Sequence, residues 1–436
     1  MNMENVSVGS LQPYAGNART HSKRQIRKIA KSIERFGFCN PVLVDDNLQI
    51  IAGHGRVAAA KLLGVDEVPI VRLSHLSDAD KRAYVLADNR LAEDAGWDRE
   101  MLAIELQGLI DLGVPIEVTG FEMADVDHIL DEALESTGPT SGPEDDVPQY
   151  ATGPAVSQPG DLWVLGHHRL LCGDARDPAV YQALLGGQKA QFAFTDPPYN
   201  VPIDGHVCGL GRIRHGNFAM GCGEMSEAQF TEFLAIIFQR LAESTVDGSI
   251  HQICMDWRHM PEILGAGGKA YSELKNVCVW NKTNAGMGSF YRSKHELVFV
   301  WKHGSAPHVN NFELGQYGRS RSNVWDYEGV NTLKSDRRRE LAMHPTVKPV
   351  ALVADAIRDC SRRDDLVLDP FAGSGTILIA AERTGRKARA LEIDPNYVDV
   401  AVRRWQSYTG KDAKLAATGE TFEDVSEKRK TATIAA

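Results

Sequence analysis

LVLDPFAGSGTILIAAERTGRKARALEIDPNYVDVAVRRW, residues 366–405, decides the fold. LVLDP is a short apolar run ending in a turn signal, as a buried parallel strand requires. AGSG places two glycines where backbone must come close to a ligand. Thr376 to Arg383 reads as a helix with Ile377, Leu378 and Ala381 on its apolar face. Lys387 to Ile393 reads as a second strand, and Pro395 sits at the first turn of the next helix, where proline is tolerated. The result is a β-α-β-α unit of an α/β fold. Glu392, 17 residues after Gly375, ends the second strand, where a carboxylate can accept hydrogen bonds from both ribose hydroxyls of a nucleoside.

A glycine-rich turn alone is weak evidence, since ordinary strand-to-helix turns share it. Upstream, QFAFTDPPYNV (191–201) runs an apolar strand into Asp196-Pro197-Pro198-Tyr199. Two prolines fix the backbone and remove two amide donors. A carboxylate, a peptide carbonyl and an aromatic ring remain, which suits a flat base carrying an exocyclic amine. A rigid strand-ending turn would explain the prolines but not the whole set.

FTDPPYN, followed by HPTVKP (344–349) and DPFAGSGT (369–376), resembles the β group of site-specific DNA amino-methyltransferases, in which the catalytic motif precedes the cofactor motif. The resemblance covers about residues 160–408 and includes LLCGDARD (170–177), VWNKTNAGMGSFYRSKHELVFVWKHG (279–304) and RSRSNVWDYEGVN (319–331). It implies a Rossmann-like domain that uses S-adenosylmethionine. Asp196 and the Pro197 carbonyl would accept the two N–H bonds of the target amine, Pro198 would stiffen the turn, and Tyr199 would stack on the extruded base. Asp369, Phe371, Gly373, Ser374, Gly375 and Thr376 would shape the methionine end of the cofactor pocket. Glu392 would hold the ribose, Lys348 and Pro349 would close the site, and Asp174 would contact the adenine. Asp at position 196 resembles adenine-N6 enzymes, whereas cytosine-N4 members more often carry Ser there. Cytosine-N4 methylation and an inert DNA-binding adapter are the alternatives. The intact Asp196, Tyr199, Gly373, Gly375 and Glu392 speak against inertness. No restriction partner of its own is expected.

Residues 269–345 carry a net charge of +5, with aromatics interleaved. Within a target-recognition region of about 205–340, Arg292, Lys294, Arg319, Arg321, Arg337 and Arg338 are the candidate contacts to double-stranded DNA, with a solvated basic face as the plain alternative. His295-Glu296 has no second histidine four residues on, so no metal is assigned. The glycine-rich residues 202–225 read as a mobile loop that orders around the substrate.

Near the N-terminus, KRQIRKIAKSIER (23–35) places Ile26, Ile29 and Ile33 at helical spacing, followed by a strand, a turn and a strand in PVLVDDNLQIIAG (41–53). Gly53-His54-Gly55-Arg56 then opens a helix, a natural anion site. Over residues 6–73 this resembles the ParB-like domain, an α+β module whose corresponding box binds nucleotide phosphates. The paired arginines common in nucleotide-binding members are missing, so a DNA-binding or assembly module is the favoured reading. Residues 77–113 read as helical.

The divisions expected are therefore 1–75 (ParB-like), 76–135 (helical acidic connector), 136–160 (Pro/Gly-rich linker), 161–410 (methyltransferase) and 411–436 (tail). The formal charge of -10 over 436 residues would count against a polyanionic partner. It resolves into +4 for residues 1–92, -16 for 93–161 and +2 for 162–436, so both ligand-binding modules escape it. Seven scattered cysteines without a CxxC argue against a disulfide framework or zinc site. No apolar run approaches the ~18 residues of a membrane span, and the first residues lack a secretory signal, so a cytoplasmic protein is expected. A homodimer is an open possibility for enzymes of this group.

Overall fold

The computed structural model describes residues 2–135, 145–148, 154–201, 223–283, 290–312, 321–328 and 347–435. The chain divides into two units, residues 1–137 and 138–436.

The first unit holds a four-stranded sheet of β1 (Met3–Ser7), β2 (Val42–Val44), β3 (Ile50–Ala52) and β4 (Glu67–Arg72), in the order β1-β4-β2-β3. Helices Lys23–Phe36 and His54–Leu63 accompany it. The Ser22 hydroxyl caps the first helix by accepting the Gln25 amide at 3.1 Å. As the spacing predicts, Ile26, Ile29 and Ile33 are half-buried and Ala30 is buried. Val42, Val44, Ile50, Val68 and Ile70 meet Val57 and Ala60 in a small core.

The stretch 77–113, expected as helix, is two helices, Asp78–Glu93 and Arg99–Asp111. The break falls at a cap: the Asp98 carboxylate accepts the Met101 amide at 3.0 Å and starts a new helix just after Gly96. With Met123–Glu135, the second of these builds a separate core from Leu102, Leu106, Ile116, Val126 and Ile129.

The second unit is a ten-stranded sheet: β5 (Leu162–Leu165), β6 (His168–Cys172), β7 (Ala190–Thr195), β8 (Thr245–Met255), β9 (Glu273–Asn281), β10 (His295–Lys302), β11 (Val324–Asp326), β12 (Leu366–Asp369), β13 (Lys387–Glu392) and β14 (Lys414–Leu415). Their order is β11-β9-β10-β8-β7-β12-β13-β6-β5-β14. β8, β7, β12, β13 and β6 are parallel, whereas β10 runs antiparallel between β8 and β9. Alternate residues sort into two cores, as a sheet covered on both faces requires. Phe192 and Phe194 face the helices Val350–Cys360, Thr376–Thr384 and Pro395–Thr409, while Ala193 and Leu368 face Pro178–Leu185, Glu227–Ser244 and Met260–Ala270. The Rossmann-like three-layer arrangement expected from residues 366–405 is present, with β12, which runs into the glycine-rich turn, between β7 and β13.

Two boundaries differ from the sequence reading. Residues 411–436 were expected as a tail, but β14 pairs with β5 and Phe422 is buried with its ring 5.2 Å from that of Trp163. The apolar Phe422 and Val425 belong to the main core, and that packing retains the segment. Residues 154–160, assigned to the linker, are likewise tied down, because the Asp399 carboxylate accepts the amides of Val156 and Ser157 at 2.7 and 2.9 Å. Linker residues 136–144 and 149–153 lie outside the described residues.

Candidate active site

Parallel strands deliver their C-terminal ends to one edge of a sheet, and the crevice forms where the chain leaves in opposite directions from neighbouring strands. Here those neighbours are β7 and β12. β7 ends at Thr195 and hands on Asp196; β12 ends at Asp369 and hands on the glycine-rich turn; β13 ends at Glu392. The Thr195 hydroxyl donates to Asp369 at 3.0 Å, joining the first two strand ends. Because β10 is antiparallel, it begins at this same edge, and Glu296 enters the site opposite Trp280 of β9.

Asp196 and Tyr199, half-buried, form one cluster with the buried Glu296 and Lys348. The Tyr199 hydroxyl lies 2.5 Å from Asp196 Oδ1 and 2.5 Å from Glu296 Oε1. Lys348 Nζ donates to Asp196 Oδ2 at 2.5 Å and pairs with Glu296 Oε1 at 2.6 Å. Lys282 Nζ reaches Glu296 Oε2 at 2.8 Å and lies 4.5 Å from the centre of the Trp280 ring. One phenolic proton cannot serve two carboxylates at this range, so the distribution of charge matters. Burial pushes the Asp196 carboxyl up, Lys348 opposes this, and Glu296 adds to it. Burial would also raise Glu296, but Lys348 and Lys282 together outweigh it and hold Glu296 down at about 2. The two lysines therefore favour the ionised form of Glu296.

Asp196, Cys254 and Glu296 bring three potential metal-ligand atoms within 4.8 Å of one another. The Lys348 ammonium already stands against both carboxylates, so a metal ion would have to displace it.

Beside this cluster lies a second group. Gly373 and Gly375 have φ of 50° and 81°, a left-handed backbone that disfavours side chains. Glu392 Oε2 accepts the Gly373 amide at 2.8 Å, and Oε1 accepts the Asp394 amide at 2.9 Å. The Gly173 amide donates to the Glu392 carbonyl at 2.9 Å, so the turn carrying Asp174 adjoins the same strand end. Burial raises both Asp369 and Glu392 to about 7. A buried acid flanked by glycines suits a ligand that brings its own hydroxyl donors and a positive centre, as S-adenosylmethionine does.

Other positions are committed locally. Asp174 is paired with Arg176 at 2.6 Å. Ser374 is buried and receives the Arg404 guanidinium on its hydroxyl at 3.2 Å, and the same nitrogen reaches Thr376 Oγ1 at 3.1 Å. Thr376 in turn donates to the Lys348 carbonyl at 3.5 Å, which links the glycine-rich turn to the segment bearing Lys348 and Pro349. Lys348, expected beside the cofactor, directs its ammonium to Asp196 instead. Asp369 takes the Phe371 amide at 3.0 Å and the Thr195 hydroxyl, so its carboxylate fastens strands together. Phe371 is half-buried near Phe233.

Of the basic residues expected at DNA, Arg292 and Lys294 are exposed next to the exposed Phe290 and Tyr291. Arg321 departs from expectation: it is packed among Asp359 (3.1 Å), Asp355 (3.4 Å) and the Tyr327 hydroxyl (2.8 Å), a buried ion pair in place of a surface cation. Arg319, Arg337, Arg338 and most of the 202–225 loop lie outside the described residues.

Three contributors escaped the sequence reading: Glu296, Lys282 and Asn200. Asn200, with φ of 54°, accepts the Gly223 and Met225 amides at 3.1 Å each and donates to the Met225 carbonyl at 2.8 Å, tying the Asp196–Tyr199 turn to residues 223–225.

In the first unit, Gly53 starts its helix with φ of 104°, and the Arg56 guanidinium lies against it. His54 Nε2 accepts the Tyr14 amide at 3.3 Å, and burial with His21 nearby lowers its pKa. Gly55 packs against Ile29 and His21, a contact that a β-carbon would crowd.

Comparison with known proteins finds three family matches along the chain. The family described as DNA methylase matches residues 190–403, the ParB N-terminal domain matches 1–90, and the ParB-methyltransferase HTH domain matches 100–159. The last spans helices read above as an acidic connector. The chain is similar to the ParB-like nuclease domain-containing protein YnaK of Escherichia coli, 54% identical over 16% of this chain and 83% of that protein. It is similar to the Type II methyltransferase M2.MboI of Moraxella bovis, 25% identical over 50% of this chain and 80% of that one. The DNA adenine methyltransferase YhdJ of Escherichia coli is 43% identical over 19% of this chain and 26% of its own length.

Proposed function

Since the chain belongs to the DNA methylase family and carries a ParB-type N-terminal domain, we propose that it transfers a methyl group to the exocyclic N6 of an adenine swung out of duplex DNA. The observation that carries this reading is the juxtaposition at one sheet edge of Asp196 from β7 with the glycine-rich turn and Glu392 from β12 and β13. S-adenosylmethionine, when bound, supplies a methyl group already activated on sulfonium. Glu392 would receive the ribose hydroxyls, while Gly373, Gly375 and Phe371 leave room for the methionine end. Asp196 and the Pro197 carbonyl accept the two N–H bonds of the amine, which draws its nitrogen out of conjugation with the ring. Pro198 keeps the turn rigid and Tyr199 offers its ring as a stacking face. Positioning then supplies most of the acceleration. Asp196 is also the nearest base for the proton that leaves the methylated nitrogen.

Adenine is favoured by Asp at position 196 and by the local likeness to an adenine methyltransferase. Arg292 and Lys294, beside Phe290 and Tyr291, would lie on the DNA, and the N-terminal unit would add affinity or assembly through its Gly53–Arg56 turn. Unmodified, amplified DNA of mixed sequence should acquire labelled methyl from S-adenosylmethionine. Asp196→Ala should lose about 100-fold or more of that rate. Nucleoside analysis should return N6-methyladenine; N4-methylcytosine would replace the adenine assignment, and no incorporation would overturn the proposal.

A further inference from the structure

Both oxygens of Asp196 are engaged, so an incoming amine must compete for them. Oδ1 faces the Tyr199 hydroxyl and Oδ2 accepts from the Lys348 ammonium, each at 2.5 Å. An ammonium left there occupies the place of an incoming N–H donor. Lys348 is buried, with a side chain only 5% exposed, so it cannot retreat into water. A buried cation without a partner is strongly disfavoured.

Among the described groups facing this ammonium, Glu296 is the charged acceptor left to it. Cys254 is a neutral thiol whose pKa burial raises well above its ordinary value. Asp369 is held through Oδ1 by Thr195 and the Phe371 amide, and burial pushes its carboxyl up to about 7, so it offers less negative charge than Glu296. The Tyr199 hydroxyl accepts from Nζ at 3.3 Å but is neutral and is already shared between the two carboxylates, and the Trp280 ring, 6.0 Å away, offers only its face. Glu296 Oε1 is already 2.6 Å away, and its other oxygen is steadied by Lys282.

We propose that Glu296 is a positioning residue that takes over the Lys348 ammonium when the target amine enters, thereby freeing Asp196, and that holds the Tyr199 hydroxyl while the base stacks. This assignment rests on the methyl-transfer reading above. It makes Lys348 a plug that moves between two carboxylates, with charge balanced among Asp196, Glu296, Lys348 and Lys282 in either position.

The test is Glu296→Gln, nearly equal in shape, alone and combined with Lys348→Met, on the full-length protein. Glu296→Gln should bind S-adenosylmethionine within about twofold of wild type by calorimetry while its kcat falls about tenfold or more. The acid limb of kcat/KM should move to lower pH, because a negative charge that raises Asp196 has gone; general loosening of the fold would not move it. With Lys348 already replaced by Met, the same change should cost little more, since the residue through which Glu296 acts is absent. Wild-type kcat in Glu296→Gln, an unmoved acid limb, or losses that simply multiply in the double variant would each overturn the assignment. Should Glu296→Gln fail to fold, Glu296→Asp decides: the shortened carboxylate should lower kcat severalfold with the wild-type acid limb, and an undiminished kcat counts against it. Absence of methyl transfer by wild type strikes at the proposed function, whereas an active wild type with an unaffected Glu296→Gln strikes at Glu296 alone.

Discussion

Glu392 is a buried acid whose pKa lies at about 7 against an ordinary 4.5. An acid raised on folding contributes stability that is fully present below about 4.5 and is lost as pH rises through about 7. Hydroxyl donors from a ribose would favour its ionised form, so ligand binding should expel a proton near neutrality. Glu392→Gln removes the titration. Without ligand, it should match wild type in Tm near pH 5 and exceed it by roughly 2–5 °C at pH 8, as thermal scans at both values would show. The same variant should lose about 10–100-fold in affinity for S-adenosylmethionine by calorimetry. Glu392 was legible in the sequence because a strand, a turn and a spacing announce it. Glu296 was not, because its place depends on the direction of β10, and no local pattern encodes that direction.

At the scale of elements, the strand–turn–helix series of 366–405 was readable throughout, since buried parallel strands write continuous apolar runs. What escaped was pairing between distant segments. Residues 411–436 contain short polar stretches that resemble a tail, yet Phe422 fills a place against Trp163 that only the closed sheet creates. Phe422→Ala should destabilise the second unit by about 3–5 kcal/mol, the usual cost of emptying a buried aromatic site. Urea unfolding followed by tryptophan fluorescence would measure it. A value under 1 kcal/mol would return the segment to a loosely attached end. The helix break at Asp98 has a similar lesson: apolar periodicity continued through Gly96, and the cap decided where the helix restarts.

For the whole molecule, the formal charge of -10 conceals opposite local fields. The excess of acid is carried by residues 93–161, which supply no side chain to the Asp196, Tyr199, Glu296 and Lys348 cluster or to the glycine-rich turn. Binding to DNA should therefore be steeply salt-dependent despite the acidic total. Replacing Arg292 and Lys294 together by Ala should reduce the slope of log affinity against log salt by about 2 while leaving the methylated sequence unchanged, if both residues meet phosphates. Filter binding across a salt series, with sequencing of the methylated product, tests both halves. Arg321 supplies a built-in contrast: it looked equivalent in the sequence, but its ion pairs with Asp359 and Asp355 make it part of the fold, so its replacement should cost stability before it alters the slope.

The hydrogen bond between Thr195 and Asp369 joins neighbours that are 174 positions apart in the chain. During synthesis, β7 leaves the ribosome with β8 soon available on one side, while its other edge waits for β12. At about 5–20 residues per second that wait lasts on the order of 10–35 s. An apolar strand edge left open for so long invites pairing with other chains. Slow translation or scarce chaperones should thus send more of this protein into aggregates than its final stability would suggest, and a circular permutant that makes β12 before β7 should be spared.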